Sequence, residues 1–375
     1  MQKLSEYIEQ IAAYDFESHK VFGSCYFVYH KGSITEKCYG TTSLNTETPV
    51  TNTTLFRLAS MTKPITTVAA CILMERGLLS LNDRVDQFLP AFKNIKIIDE
   101  FGKESIPKAQ PTIHNLLTHT SGIGSLTYKL NKLTPPDKAS LDGAVSFFAK
   151  QGLDFEPGTM QYYSGTGAFD VLAKIIEIVT GEDYLSFLQR EIFQPCDMHD
   201  TTFLPNDEQT QRLIAMHCKE SGQNGLYSMP AGCVFEDFPA THYLGGAGLV
   251  STLHDYCNFA QMLLQKGQAK HGKILQEASI QMLSSPQLPG NIMPGDTRWG
   301  LGVRVIADDT HPWLPKGCFG WSGAYGSHFW IDPTNNLFAV YMKNSKFDGG
   351  AANDSATRFE QAVYRALNNE PAKKD

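Results

Sequence analysis

The spacing of apolar residues predicts a chain with strands near both ends and helices in between. Apolar residues three to four positions apart indicate helices, and alternating or short continuous apolar runs indicate strands. The helical segments cover residues 3–16, 60–76, 112–119, 141–150, 167–180, 184–193, 253–265, 276–284 and 353–367. The strand segments cover residues 23–29, 33–39, 299–306, 318–321, 327–331 and 337–342, with weaker hairpins at 95–104 and 221–225.

Strands at the two ends of the chain predict one antiparallel sheet that both termini build. We therefore expect an α+β fold, an α/β sandwich in which helices flank this sheet. Residues 1–80 and 241–375 would form the sheet domain, and residues 81–240 would form a mostly helical inserted domain. A site at the interface of these two domains could combine residues that lie far apart in the sequence.

Composition narrows the possible partners of the chain. The 375 residues carry a formal net charge of −7 and contain no run of basic residues, which argues against nucleic acid and anionic membranes. No stretch reaches the ~20 apolar residues of a membrane span, and the first residues lack the pattern of a secretory signal. We expect a cytoplasmic globular protein that binds a small molecule, while the sequence leaves the oligomeric state open.

The eight cysteines are scattered and form no Cys-x-x-Cys motif. In a cytosolic protein this pattern predicts reduced and mostly buried thiols. His114 and His119 are five positions apart, and no His or Cys cluster has the spacing of a metal site. We therefore expect neither a metal nor a cofactor.

A Ser-x-x-Lys motif, Ser60 to Lys63, stands where an irregular segment becomes a long apolar helix. Three positions along a helix bring the lysine back to the face that carries the serine. The helix N-terminus favours negative charge on the Ser60 oxygen, and Lys63 can take the hydroxyl proton only while its amine is uncharged. Ser105 to Lys108 has the same spacing, but it lies in a polar segment with a proline and predicts no site.

Two further motifs follow Ser60-x-x-Lys63 along the chain. They are Pro157-Gly158-Thr159, which leads into Tyr163-Ser164, and then Trp321-Ser322-Gly323. Together with segments 116–123, 246–252 and 329–333, this ordered set resembles the serine β-lactamase-related family of penicillin-binding-protein-like enzymes. That family includes class C β-lactamases, DD-peptidases and family VIII carboxylesterases. The resemblance covers most of the chain, points to the esterase branch, and implies a serine hydrolase that forms an acyl-enzyme.

The resemblance implies a role for each matching residue. Ser60 would be the nucleophile, Lys63 its base, and Tyr163 rather than Tyr162 the phenol that relays the proton to the leaving group. The backbone N–H groups of Ser60 and Ala324 would form the oxyanion hole. Substrate contacts would come from Trp321, Ser322, Gly323 and Gly165.

Two departures from the family pattern narrow the expected chemistry. Trp321 stands where class C β-lactamases and DD-peptidases carry Lys or His, and an indole suits a neutral group better than an anion. Gly165 stands where the family usually carries Asn, which removes an amide that would contact Lys63 and an acylamide substrate. Gly323 and Gly326 would let the substrate approach the strand backbone closely.

Each of these residues also has a structural interpretation. Ser60 and Lys63 could be a helix cap and a solvated lysine, and Tyr163 and Trp321 could be packing aromatics. His119 is expected to be a hydrogen-bonded core or loop residue. Residues 320–324 nearly match the Gly-x-Ser-x-Gly elbow of α/β-hydrolases, but that elbow needs a helix after the serine, and residues 327–331 predict a strand.

These observations predict a serine hydrolase for carboxylic esters of short to medium acyl chain. The main alternative is a D-amino-acid amide or peptide hydrolase, similar to a DD-peptidase, that binds penicillin and has weak β-lactamase activity. A non-catalytic binding protein on the same fold is a second alternative. Transfer of the acyl group to an alcohol or amine instead of water is compatible with the same residues.

Overall fold

The computed structural model describes residues 2–220 and 223–368, which form a mixed helical and antiparallel sheet structure. The helices within these residues are α1 Gln2–Glu17, α2 Thr62–Glu75, α3 Val85–Phe88, α4 Ile113–Leu117, α5 Thr127–Leu130, α6 Pro135–Lys138, α7 Leu141–Gln151, α8 Gly167–Thr180, α9 Tyr184–Leu188, α10 Gln194–Cys196, α11 Asp207–Arg212, α12 Leu253–Leu264, α13 Glu277–Leu283 and α14 Asp354–Leu367. The strands are β1 Gly23–His30, β2 Ser33–Gly40, β3 Phe56–Arg57, β4 Ile97–Ile98, β5 Glu104–Ser105, β6 Met216–Glu220, β7 Gln223–Tyr227, β8 Cys233–Phe235, β9 Phe238–Pro239, β10 Val250–Ser251, β11 Gln268–Ala269, β12 Gly272–Lys273, β13 Thr297–Trp299, β14 Arg304–Ile306, β15 Phe319–Ser322, β16 His328–Asp332 and β17 Leu337–Met342.

The main sheet has seven antiparallel strands in the order β13-β14-β15-β16-β17-β1-β2. The N-terminal hairpin joins the C-terminal strands where β1 pairs with β17, with Cys25 opposite Met342. Lys31 and Gly32 turn the hairpin with positive φ values, as a two-residue turn between twisted strands requires. The predicted α+β fold, with a sheet built from both ends of the chain, is therefore confirmed.

Helices cover both faces of this sheet, so its central strands are buried throughout. Tyr26 and Trp330 face the layer formed by α1 and α14, whereas Phe27 and Phe329 face the larger core that includes α2, α8 and α12. This larger core contains residues from both predicted domains. The domain boundaries at residues 80 and 240 stay a prediction.

Two predicted elements differ from the structure, and a third is present with a part that cannot be compared. The apolar run 299–306 is two strands, β13 and β14, because the chain reverses between them through Gly302 at φ 63°. The predicted helix 184–193 is α9 followed by a π-helical segment, Gln189–Phe193. The predicted hairpin at 221–225 is the pair β6 and β7, and residues 221–222 lie outside the described residues.

The prediction of eight reduced thiols is wrong for two cysteines. Cys25 and Cys38 lie directly opposite each other on β1 and β2, with Cα atoms 4.1 Å apart, and a disulfide joins them. Sequence spacing did not reveal this pair, because the hairpin register is what brings the two sulfur atoms together. No helix within residues 2–220 and 223–368 combines the length and the apolar character needed to cross a membrane.

Candidate active site

Ser60 lies in a short 3-10 turn, Ala59–Met61, immediately before α2. The strand before this turn, β3, pairs with β10, and the Leu58 N–H donates to the Leu249 carbonyl over 2.9 Å. Ala59 is buried at φ 46°, a left-handed conformation that costs a non-glycine residue roughly 1–2 kcal/mol. These constraints place the Ser60 hydroxyl at the N-terminal end of α2, where the sequence predicted it.

Lys63 is in the first turn of α2, and its side chain is fully buried. Its Nζ lies 3.3 Å from the Ser60 Oγ, 2.6 Å from the Gly165 carbonyl oxygen and 2.9 Å from the Gly246 carbonyl oxygen. None of these three partners is an acid, so hydrogen bonds to neutral groups hold the amine. The structure therefore excludes a solvated lysine at this position.

Tyr163 lies in an irregular loop between α7 and α8, and its ring faces the amine of Lys63. The distance from Lys63 Nζ to the ring centroid is 4.9 Å. The Tyr163 hydroxyl accepts a hydrogen bond from the Trp321 indole Nε1 over 3.3 Å. Within the described part of the chain, this hydroxyl makes no hydrogen bond to Ser60 or Lys63. Its neighbour Tyr162 is 47% exposed and lies on the surface.

His119 holds the loop on both sides of Tyr163. Its backbone carbonyl accepts from the Tyr162 N–H over 3.0 Å, and its Nδ1 accepts from the Ser164 N–H over 3.1 Å. The ring is fully buried, and burial together with the nearby Lys63 charge lowers the pKa of His119 well below its ordinary value. The imidazole is therefore neutral, with its proton on Nε2, and it can keep Nδ1 as an acceptor.

The predicted structural role of His119 fits these contacts, and they also connect it to the site. Its ring lies 4.6 Å from the Tyr163 ring and 4.4 Å from the Trp299 ring, measured between centroids. His119 has a φ of 57°, a conformation in which histidine is enriched among non-glycine residues. The residue thus determines where Tyr163 lies without reaching the cavity itself.

A cavity of about 600 Å³ opens in front of Ser60. Ser60, Tyr163, Trp321, Ser322 and Ala324 all line it, so the structure brings together five of the residues singled out from the sequence. Ala324 is exposed at the end of β15, and among the described residues its N–H donates to no acceptor. This leaves the N–H free for a ligand.

The glycines singled out from the sequence have different surroundings from those expected. A Cβ on Gly323 would lie 2.3 Å from the Leu58 carbonyl oxygen, and a Cβ on Gly326 would lie 2.1 Å from the Lys343 Cε. Close approach of the protein's own atoms therefore requires glycine at both positions, and contact of Gly323 with a substrate stays a prediction. Gly165 contributes its carbonyl to Lys63, and a Cβ there would meet no atom within 4 Å.

Trp299 and Arg304 are among the cavity residues that the sequence did not reveal. Trp299 packs against Trp321 with ring centroids 4.5 Å apart, and Arg304 at the start of β14 also lines the cavity. Both follow from the strand reversal at Gly302, which places β14 beside β15 and β13 on the other side of β14. Local sequence carried no signal for this reversal beyond the glycines themselves.

Comparisons with known proteins agree with the fold. The family model described as Beta-lactamase matches residues 4–363. Esterase EstB of Burkholderia gladioli is 28% identical over 330 residues, covering 80% of this chain and 80% of EstB. Penicillin-binding protein 4* of Bacillus subtilis (strain 168) is 30% identical over 343 residues, covering 88% of this chain and 67% of that protein.

The solved structure of EstCE1, described as a hydrolase with promiscuous acyltransferase activity, has the same fold. It superposes with a TM-score of 0.82 at 23% sequence identity and covers 97% of this chain and 99% of that one. The resemblance inferred from the three motifs is thereby confirmed. The chain belongs to the Beta-lactamase family, a family of serine hydrolases that includes esterases, acyltransferases and penicillin-binding proteins.

Proposed function

We propose that this protein hydrolyses carboxylic esters of short to medium acyl chain through an acyl-enzyme on Ser60. The observation that carries the proposal is the buried amine of Lys63, which contacts the Ser60 hydroxyl and two backbone carbonyls. An uncharged amine has two N–H bonds and one lone pair. Once Lys63 is uncharged, the carbonyls of Gly165 and Gly246 can accept both hydrogens, which would direct the lone pair to the Ser60 hydroxyl.

In the acylation step, Lys63 takes the hydroxyl proton while the Ser60 oxygen attacks the ester carbonyl carbon. The negative charge moves to the former carbonyl oxygen, which the N–H groups of Ser60 and Ala324 would bind. Removing one such donor commonly costs about 3–4 kcal/mol of transition-state stabilisation. The unbonded N–H of Ala324 at the cavity wall supports this assignment.

Tyr163 would pass the proton from Lys63 to the departing alkoxide and then assist water in releasing the acyl group. The indole N–H of Trp321 occupies one lone pair of the phenol oxygen, which leaves the phenol O–H to donate elsewhere. Catalytic hydrogen bonds commonly tighten only when the substrate is bound. The missing contact between this phenol and Ser60 is thus expected to form in the substrate complex.

The cavity wall supports an ester substrate with a neutral acyl group. Trp299, Trp321 and Met293 supply apolar surface, and Trp321 brings no positive charge to the position where a β-lactamase would have one. The similarity to esterase EstB points the same way. The buried, hydrogen-bonded Lys63 argues against a non-catalytic binding protein, because burying an amine without chemical use costs stability.

An amide or peptide hydrolase with penicillin binding is the second candidate, and the 30% identity to a penicillin-binding protein supports it. Acyl transfer to an alcohol would use the same acyl-enzyme, and the description of EstCE1 supports testing it. Intact-mass measurements after exposure to esters, D-amino amides and penicillins separate these candidates. An adduct that forms and disappears with esters alone is the result expected here.

Hydrolysis of p-nitrophenyl esters by Ser60→Ala tests the nucleophile. We expect loss of turnover and loss of labelling by a fluorophosphonate probe. Ser105→Ala is the matched control, because Ser105 belongs to the other Ser-x-x-Lys motif and lies exposed at the end of β5. Retained labelling in Ser60→Ala would place the nucleophile elsewhere and overturn the proposal.

A further inference from the structure

A hydrogen-bonded chain of buried side chains leads from the cavity to α14. The Ser322 Oγ lies 2.8 Å from Nδ1 of His328, and Nε2 of the same ring lies 2.9 Å from Oε1 of Glu360. All three residues are buried, and Ser322 is the one of the three that lines the cavity shared with Ser60. None of this was visible in the sequence, where the three residues are 6 and 32 positions apart.

Glu360 is ionised at neutral pH. Its two oxygens accept from Arg304 Nη2 and from the Trp313 indole, each over 2.8 Å, in addition to His328. Burial raises the pKa of Glu360, but the hydrogen bond from His328, the charge of Arg304 and the hydrogen bond from Trp313 outweigh burial and hold the pKa below its ordinary value. A carboxylate in this state can only accept hydrogen bonds.

The direction of each hydrogen bond follows from that charge. Because Glu360 only accepts, Nε2 of His328 must carry a proton. While the imidazole is neutral, its Nδ1 has no proton and can only accept. In that neutral state the Ser322 O–H donates to Nδ1, so Ser322 has lone pairs but no hydrogen left for a ligand in the cavity.

The wall around Ser322 is also balanced in charge. Arg304 lines the cavity, and its guanidinium is paired with Glu360. With His328 neutral, the positive and negative charges cancel. The lone pairs of a substrate carboxylate would repel the lone pairs of Ser322. No net positive charge on this wall would offset that repulsion. A neutral hydroxyl or amide can instead donate to Ser322.

We infer that Ser322, oriented by His328 and Glu360, acts as a hydrogen-bond acceptor that selects neutral esters carrying a hydroxyl or amide N–H over esters carrying a carboxylate. The inference rests on the proposed function, because it describes the substrate preference of the same cavity. His328 and Glu360 are positioning residues, since they reach the substrate only through Ser322.

Matched esters that differ in one terminal group test this preference. The alcohol series is butyl acetate, the monoacetate of butanediol, and acetoxybutanoate. The acyl series is methyl hexanoate, its terminal hydroxy derivative, and the monomethyl ester of adipic acid. In one series, kcat/KM for the hydroxy ester should exceed that of both companions by about tenfold.

His328→Phe is the diagnostic variant, because phenylalanine can keep the packing on Trp330 while removing the acceptor for the Ser322 hydroxyl. The hydroxy-to-carboxylate ratio of kcat/KM should fall about tenfold, and Ser322→Ala should lower it similarly. The matched control is His254→Phe, which breaks a surface His–Glu pair with Glu36 and should leave the ratio unchanged.

Thermal unfolding and titration of active sites with a fluorophosphonate show whether each variant is folded and competent. The inference would be overturned if folded His328→Phe kept the wild-type hydroxy-to-carboxylate ratio of kcat/KM. It would also be overturned if kcat/KM fell equally for all three esters. If His328→Phe does not fold, an unchanged ratio in Ser322→Ala serves the same purpose. Absence of turnover with every ester would overturn the proposed function, and this inference with it.

Discussion

The indole of Trp321 donates to the hydroxyl of Tyr163 over 3.3 Å, which joins the third motif to the second. Trp321 stands where the resemblance places Lys or His in class C β-lactamases and DD-peptidases, so a neutral donor occupies this position. The indole can orient the phenol as a cation would, but it adds no charge that could attract an anionic substrate. In this protein, the residue at position 321 can therefore orient Tyr163 without attracting an anionic substrate.

Trp321→Phe should lower kcat/KM for an apolar ester by about tenfold, because the ring remains while the hydrogen bond to Tyr163 is lost. Steady-state kinetics of Trp321→Phe, Tyr163→Phe and the double variant measure the coupling between the two residues. If Trp321 acts through the Tyr163 hydroxyl, the two effects will not add. Fully additive effects would contradict this role.

Trp321→Lys should accelerate acylation by a carboxylate-bearing penicillin roughly tenfold, because a charge-assisted hydrogen bond would then be available to the carboxylate. Intact-mass kinetics of the penicilloyl adduct give the rate. Trp321→Gln, which adds a neutral donor, is the control and should have a much smaller effect. An unchanged rate in Trp321→Lys would show that charge at this position does not limit penicillin binding.

His119→Phe should lower both stability and kcat. The Ser164 N–H would lose its buried acceptor, which costs about 1–3 kcal/mol of unfolding free energy, and Tyr163 would lose its support. His119→Asn should lose less, because asparagine tolerates the left-handed backbone and can offer an amide oxygen. Urea unfolding and steady-state kinetics provide the two measurements.

The control for His119 is His114→Asn, which changes a half-buried histidine five positions earlier in α4. It should leave kcat near the wild-type value. Equal loss of kcat in the His119→Phe and His114→Asn variants would contradict a specific role for His119 in holding Tyr163.

His119 should also make stability depend on pH. Its pKa is lowered well below the ordinary value in the folded protein, so the unfolded chain binds a proton that the folded protein does not. Stability from the neutral imidazole is therefore present above about pH 6.5 and is lost as pH falls, by about 1.4 kcal/mol per pH unit. The unfolding free energy of wild type relative to His119→Asn should decline with this slope in acid. A pH-independent difference would contradict burial of a neutral ring.

Gly323→Ala should lower the stability of the protein, whereas Gly165→Ala should leave it nearly unchanged. A Cβ at Gly323 would lie 2.3 Å from the carbonyl oxygen of Leu58, two residues before Ser60. The unfolding free energy of Gly323→Ala should therefore fall by about 1–3 kcal/mol. The fraction of molecules that a fluorophosphonate can label should fall as well. A Cβ at Gly165 meets no atom within 4 Å, so that variant should stay within about 0.5 kcal/mol of wild type. Urea unfolding and fluorophosphonate titration compare them. Equal unfolding free energies of the two variants would show that the turn with Ser60 can move away from β15.

Much of the fold could be predicted from the pattern of residues that lie close together in the sequence. The helix 167–180 and the strand 337–342 have the bounds expected from the sequence, because the helix buries apolar residues at helical spacing and the strand is a continuous apolar run buried on both faces. Ser60 and Lys63 are neighbours for the same reason, since one helical turn separates them. Such features depend on residues close together in the sequence, and no distant partner is needed to recognise them.

The remaining features depend on contacts between distant segments. The run 299–306 is apolar enough for one strand, yet it folds back on itself because Gly302 packs against Thr67, where a Cβ would lie 2.0 Å from the hydroxyl oxygen. The disulfide between Cys25 and Cys38 requires the register of a hairpin, and the register is not written in the spacing of the cysteines.

By itself, the sequence determined the fold class, the Ser60–Lys63 pair and the order of the three motifs, because periodicity and motif spacing are local properties of the chain. Tertiary structure alone decided that the Lys63 amine is held by the Gly165 and Gly246 carbonyls. It also decided that the Ser322 hydroxyl lies 2.8 Å from Nδ1 of His328, whose Nε2 lies 2.9 Å from Glu360. A hydrogen bond between side chains far apart in the sequence exists only after packing brings donor and acceptor within about 3 Å.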